Sequence, residues 1–374
     1  MKFLSIVGKS CAQQYSVPNI LDIAGKSYAQ RYSVPNILDI AGKSCAQRYS
    51  VPNISVTITN FNKILSATPS KMSEPIDGKT TSFTEKMTHA QHKTVQCLSP
   101  AGLHTMAYKE WGDPLNPNVL LCLHGVTRVS GDFDSLALAS SDTYRVVCPD
   151  VVGRGRSDWL RDPQYYILPQ YVSDTVTLLA RVNAETVDCV GTSMGGLIGM
   201  ILASLKGTPL RRLVLNDVGP ALNTAALDRI GTYIGQQRRF SEFDQLAEYI
   251  REISASFGPH SEQEWRKLAS DVARQDADGQ WILHYDQALA LPLRAATTES
   301  RQHAEAMMWP AYDAITCPTL LLRGAESDLL APEVAQAMTR RGARAKLVEF
   351  PGVGHAPTLL HADQIAIVKD FLLA

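Results

Sequence analysis

Gly191-Thr192-Ser193-Met194-Gly195 sets a serine between two glycines, after the apolar run TVDCV and before the helix-forming stretch GGLIGMILASL. A serine on a sharp strand-to-helix turn projects its hydroxyl clear of a sheet, and such a turn closes only if side chains two residues either side are absent. The helix that follows points its positive end at the hydroxyl and favours negative charge there. A serine attacks only beside a base. His355, in PGVGHAP, directly follows the run KLVEF, and its glycine and proline neighbours hold it in a loop. A carboxylate must then fix the imidazole tautomer and support its positive charge. Asp328, in LRGAESD after the run TLLL, is the expected acid; Asp217, just after RLVLN, is the alternative, and Glu326 stands third as a solvated loop charge.

An acyl-transfer site also needs two backbone N–H groups aimed at the oxyanion. Met194, the residue after the serine, supplies one; Val126, in HGVT after the run VLLCL, is expected to supply the other. His124 reads as a hydrogen-bonded loop anchor. The segment from Asp150 through Gly153, Gly155 and Ser157 reads as a structural turn, since it lacks the Lys-Ser/Thr ending of a phosphate-binding loop.

These residues need a frame that gathers them. Apolar runs of strand length recur at His104 to Trp111, Val119 to Leu123, Arg145 to Pro149, Thr186 to Val190, Arg212 to Asn216, Thr319 to Leu322 and Lys346 to Phe350. Several are continuous, which implies burial on both faces. Helical patterns lie between them at Tyr171 to Val182, Gly195 to Leu205, Pro332 to Arg341 and Asp363 to Leu373. The fold class expected is therefore α/β: a mostly parallel sheet flanked by helices. Residues 220–314 carry no convincing strand but contain amphipathic segments such as FDQLAEYIREISASF, and so predict a helical cap. The sheet core should then be 94–219 and 315–374. Ligands of open α/β sheets bind beyond the carboxyl ends of the strands, where the cap would form a roof. Trp265, Trp281, Tyr285 and Trp309 are its aromatic candidates for lining an acyl or alcohol pocket.

The 374 residues carry 45% hydrophobic and 20% charged side chains, values of a globular chain, and no apolar stretch long enough to span a membrane. Residues 1–93 hold 11 Lys plus Arg against 5 Asp plus Glu, or +6, leaving 25 against 32, or −7, for the rest. The basic residues are scattered among Ser, Gln and Asn, so nucleic acid is not an expected partner. Seven cysteines with no CxxC pair argue against a zinc ribbon or a thioredoxin-like site, and neither metal nor organic cofactor is expected. Reduced thiols and the short apolar start, without a secretion signal, favour a cytoplasmic setting. Residues 1–66 contain near-identical tandem copies of GKSxAQxYSVPNILDIA at a 17-residue period, and 67–93 read as a Ser/Thr/Lys/Pro-rich linker. Near-identity has no folding reason, so the repeat reads as a recent duplication or a misplaced start; a homo-oligomer formed through this segment is the functional rival.

Leu123-His124-Gly125, Asp150-x-x-Gly153-x-Gly155-x-Ser157, Gly191-x-Ser193-Met194-Gly195-Gly196, Leu322-Arg323-Gly324 with Asp328, and Gly354-His355 stand in one order along 94–374. With these landmarks the sequence resembles the α/β-hydrolase superfamily, and looks most like capped bacterial carboxylesterases. The resemblance implies Ser193 as nucleophile, Asp328 as acid, His355 as base, and a small-molecule ester as substrate. Thioesters and lactones are related alternatives. A carbon-carbon bond hydrolase of the meta-cleavage type is a further alternative, although such enzymes usually carry an oxyanion loop richer in Gly and Pro and often a Trp after the histidine, where this chain has Val126-Thr127-Arg128 and Ala356. A binding protein on a hydrolase scaffold would need none of the three triad members.

Overall fold

Alternation along single strands builds the centre of the fold. The structure, a computed structural model, describes residues 89–374. The repeats of 1–66, most of the 67–93 linker and any oligomer formed through them lie outside the described residues. Strands β1 (Gln91–Ser99) and β2 (Gly102–Trp111) form an antiparallel hairpin, and β2 pairs antiparallel with β4 (Arg145–Pro149). β3 (Val119–Leu123) runs parallel between β4 and β5 (Val187–Thr192), followed by β6 (Leu210–Asn216), β9 (Thr319–Gly324) and β10 (Lys346–Phe350), giving an eight-stranded sheet of order β1-β2-β4-β3-β5-β6-β9-β10. Successive side chains of a strand point to opposite faces. Accordingly Leu121 and Leu123 of β3 join one core, with Leu213 and Leu215, under helices α2 (Leu168–Val182) and α3 (Met194–Ser204). Leu120 and Cys122 join the other, with Val190, Val214 and Leu322, under α1 (Asp134–Ser140) and α10 (Ala362–Leu373). Each leucine so buried contributes roughly 2 kcal/mol.

Between β6 and β9 the chain leaves the sheet to build the cap: α4 (Thr224–Tyr233), α5 (Phe243–Ile253), α6 (Glu262–Val272), α7 (Ala290–Ala295) and α8 (Thr298–Asp313). Leu246, Tyr249 and Ile250 put one face of α5 inward at helical spacing, while Ser261 and Glu264 close a capping box that starts α6. Leu246, Ile250, Ala269 and Val272 form a small core of their own, joined by Val129 from the sheet domain. α9 (Pro332–Met338) completes the helices.

Two expectations are corrected. β1 begins at Gln91, inside the segment expected to be linker, because its residues pair with β2 from Gln91↔Glu110 to Ser99↔Gly102. The cap also holds a hairpin of β7 (Ala273–Gln275) and β8 (Trp281–Leu283), with strands too short to leave a periodic signature.

Candidate active site

Register brings the site together. Leu123 pairs with Gly191, Thr192 with Asn216, Asn216 with Leu322, and Gly324 with Phe350, so β3, β5, β6, β9 and β10 end at one level. Each candidate residue follows one of these ends by a few positions.

Ser193 has φ 52° and ψ −118°, a left-handed conformation for a residue with a Cβ, held at a cost of about 1–3 kcal/mol. The surrounding packing explains how it persists. A Cβ on Gly195 would sit 2.0 Å from the Leu123 carbonyl oxygen, and one on Gly191 would sit 2.4 Å from the Gly195 oxygen. Only glycine permits such an approach, and the turn then locks through the Ser193 N–H, which donates to the Asn216 carbonyl at 3.0 Å.

The Ser193 hydroxyl lies 3.0 Å from His355 Nε2 and donates to it. On the other side of the ring, His355 Nδ1–H donates to Asp217 Oδ2 at 2.7 Å. Asp217 is fully buried, and the same carboxylate accepts from the Ser327 hydroxyl at 2.6 Å and the Gly324 N–H at 3.0 Å. Asp328 is not beside the histidine, contrary to the sequence expectation. It is 46% exposed, and its Oδ2 takes Nε and Nη2 of Arg229 on α4 at 2.9 and 2.7 Å. The physical reason is the turn after β9: Ser327 points inward to Asp217, so its neighbour points out. Asp217 itself reaches the ring by leaving β6 with φ 55°.

The loop after β3 is held from two sides. Val151 N–H donates to His124 Nε2 at 2.9 Å, so the ring proton sits on Nδ1, which donates to the Gly125 carbonyl at 2.7 Å. That carbonyl belongs to the same peptide unit as the Val126 N–H; gripping one end aims the other. His124 is wholly buried, and burial pushes its pKa down to about 4, keeping the ring neutral. Arg154, in the segment expected to be only a turn, donates from Nε to the Val126 carbonyl at 2.8 Å and from Nη2 to Met194 Sδ at 3.2 Å, with its guanidinium 4.9 Å from the Tyr171 ring centre. It thereby ties together the two residues whose N–H groups were expected to face an oxyanion.

Sequence reasoning missed three more contributors. Asn216 Nδ2 donates to Thr192 Oγ1 and to the Pro357 carbonyl, joining the serine strand to the histidine loop. Ser256, in the cap, donates from Oγ to the His355 carbonyl at 2.7 Å and accepts the Gly354 N–H at its own carbonyl at 2.6 Å. Ser327 is the third. None carries a local pattern, since each acts across chain distances that only the fold closes.

Above Ser193 and His355 opens a cavity of about 80 Å³ lined by both sheet loops and cap, including Val126, Ile230, Tyr233, Phe257 and Tyr285. Tyr285 is the one aromatic candidate found there. Trp265 packs on His260, Trp281 on Phe243, and Trp309 on Tyr312 and Arg341, away from the cavity walls. Among the described residues, the group whose donor atoms lie close enough to hold a metal ion is Cys97, His104 and Asp174, which shares no residue with this cavity.

A sequence model of the alpha/beta hydrolase family matches residues 120–367. The chain is 54% identical over 280 residues to a 3-hydroxybutyrate-oligomer hydrolase of Cupriavidus necator, covering 74% of this chain and 96% of that one. It is 29% identical over 235 residues to a 2-hydroxymuconate semialdehyde hydrolase of a Pseudomonas species, covering 61% and 76%. Among solved structures, an alpha/beta hydrolase from Novosphingobium aromaticivorans superposes with a TM-score of 0.68 at 35% identity, over 76% of this chain and 99% of that one. The chain belongs to the α/β-hydrolase family.

Proposed function

We propose that this hydrolase is a carboxylesterase acting on short esters of hydroxycarboxylic acids, 3-hydroxybutyrate oligomers above all, with Ser193, His355 and Asp217 as nucleophile, base and acid. The observation that carries the reading is the continuous hydrogen-bonded line from Ser193 Oγ through the His355 ring to the buried Asp217 carboxylate. The Cupriavidus necator relative supports the substrate class. The cavity of about 80 Å³ supports a short acyl unit.

In this mechanism His355 Nε2 takes the Ser193 proton as Oγ bonds to the ester carbonyl carbon. The carbonyl oxygen becomes an oxyanion facing the N–H groups of Val126 and Met194. Collapse expels the alcohol, which leaves with the proton from Nε2, and the acyl group stays on Ser193. Water then attacks, giving its proton to the same nitrogen, and a second collapse returns the proton to Oγ and frees the acid. Asp217 stays ionised and holds the proton of Nδ1. The buried unpaired thiols of Cys122, Cys148 and Cys189 support a reducing, cytoplasmic setting.

Ser193→Ala tests the assignment. It is expected to abolish hydrolysis of a short p-nitrophenyl ester and of a 3-hydroxybutyrate dimer while leaving the thermal melt intact; retained turnover would refute it. A series of p-nitrophenyl esters graded in acyl length should fall off steeply beyond short chains.

A further inference from the structure

Two arginines line the cavity, and they differ in what neutralises them. Arg128 holds both oxygens of Asp132, with contacts of 2.6, 2.9 and 3.1 Å, and Asp132 lines the cavity with it. That pair presents no net charge inward. Arg229 also lines the cavity, but its partner Asp328 does not. Arg229 thus faces the cavity while its counter-ion stands outside the lining. Its guanidinium gives Nε and Nη2 to one oxygen of Asp328, in a pair that is 42% and 46% exposed. An ion pair so well solvated holds weakly and exchanges readily. Tyr233, one helical turn further along α4, lines the same cavity, and the charge of Arg229 opposes the rise that burial imposes on its hydroxyl pKa. A planar, always-charged guanidinium beside a phenol hydroxyl suits a carboxylate.

We propose that Arg229 and Tyr233 form a carboxylate-binding site at the solvent edge of the cavity, selecting esters that end in a free carboxylate, with Asp328 as the group the substrate displaces. The inference rests on the esterase reading above and adds to it the feature of the substrate that is recognised. A linear oligomer of a hydroxycarboxylic acid ends in one free carboxylate, on the alcohol side of its last ester bond. Cleavage of that bond releases a hydroxy acid whose carboxylate Arg229 would hold during departure. Arg229 belongs to the cap and Ser193 to the sheet, so a bound carboxylate also draws the cap onto the reacting bond.

The test compares a 3-hydroxybutyrate dimer with its terminal primary amide, which has nearly the same size and no charge, by chromatographic measurement of released monomer. The readout is the ratio of kcat/KM for acid over amide in wild type, Arg229→Gln, Arg229→Lys and Asp328→Asn. Wild type should favour the acid. Arg229→Gln should lower the ratio about tenfold or more, chiefly through KM, since hydrogen bonds to charged groups are worth at least that factor. Arg229→Lys should keep part of the preference, and Asp328→Asn should raise it by removing the competitor. A ratio unmoved by Arg229→Gln would overturn the inference. So would an equal fall in Asp328→Asn, because both variants break the same ion pair and only a structural contribution would fall in both. Failure of wild type to cleave either compound, with p-nitrophenyl ester hydrolysis intact, would overturn the 3-hydroxybutyrate substrate reading on which the inference rests.

Discussion

Replacing Asp217 by Asn changes one atom type where three donors converge. In the native site the carboxylate accepts from Gly324 N–H, Ser327 Oγ and His355 Nδ1 at 3.0, 2.6 and 2.7 Å. An asparagine has one acceptor oxygen and one donor NH2 for the same three partners. With its oxygen on the Gly324 N–H, its NH2 faces the imidazole, so Nδ1 must accept and the ring proton moves to Nε2. Nε2 then cannot take the Ser193 proton. Loss of the base through the wrong tautomer is worth ~10⁴ in kcat, or ~5 kcal/mol of transition-state stabilisation. The assay is kcat on a short p-nitrophenyl ester, with thermal melting to show that the variant folds. Asp328→Asn, made in parallel, leaves the carboxylate on His355, and its loss should be smaller by at least two orders of magnitude. If Asp217→Asn kept a tenth of native activity, or if Asp328→Asn proved the more damaging, the line from Ser193 to Asp217 would not be the working triad.

Gly195→Ala should inactivate the protein and destabilise it by more than ~2 kcal/mol in chemical denaturation, since the new methyl would meet the Leu123 oxygen at 2.0 Å and force the serine turn open; a stable, active variant would contradict the account of the turn. The buried His124 gives a signed pH dependence. Its folded pKa of about 4 lies below the unfolded 6.5, so the unfolded chain binds the extra proton first, and the stabilisation present above pH 6.5 is lost as pH falls through 4. The shift corresponds to ~3 kcal/mol, so the stability gap between wild type and His124→Asn should narrow by that amount over this range, and a constant gap would refute it.

The central strands were readable because VLLCL and TLLL are apolar without interruption, which only a sheet covered on both faces explains. β1 escaped because QHKTVQCLS opens with four polar residues and then exposes Leu98 while burying Ser99, so its residue types do not follow the alternation of its faces. Ser193 and His355 were legible for a different reason: a strained turn and a strand-end loop demand glycines that the sequence displays. The carboxylate that meets the histidine was not, because Asp217 and Asp328 each follow a strand, and what separates them is the inward turn of Ser327 and the capture of Asp328 by an arginine from the cap. The same limit governed the tryptophans, whose helical and strand positions say that they pack but not on which side of the cap. Asn216 and Ser256 act through bonds to residues far along the chain, and composition holds no trace of such pairings.

The two bonds from Ser256 to the histidine loop make the roof part of the machinery beneath it. Any displacement of the cap at Ser256 would therefore be felt by the segment that seats the imidazole. Grafting a different roof onto this sheet, in search of a new specificity, would unhook the base unless the graft brought an anchor of its own.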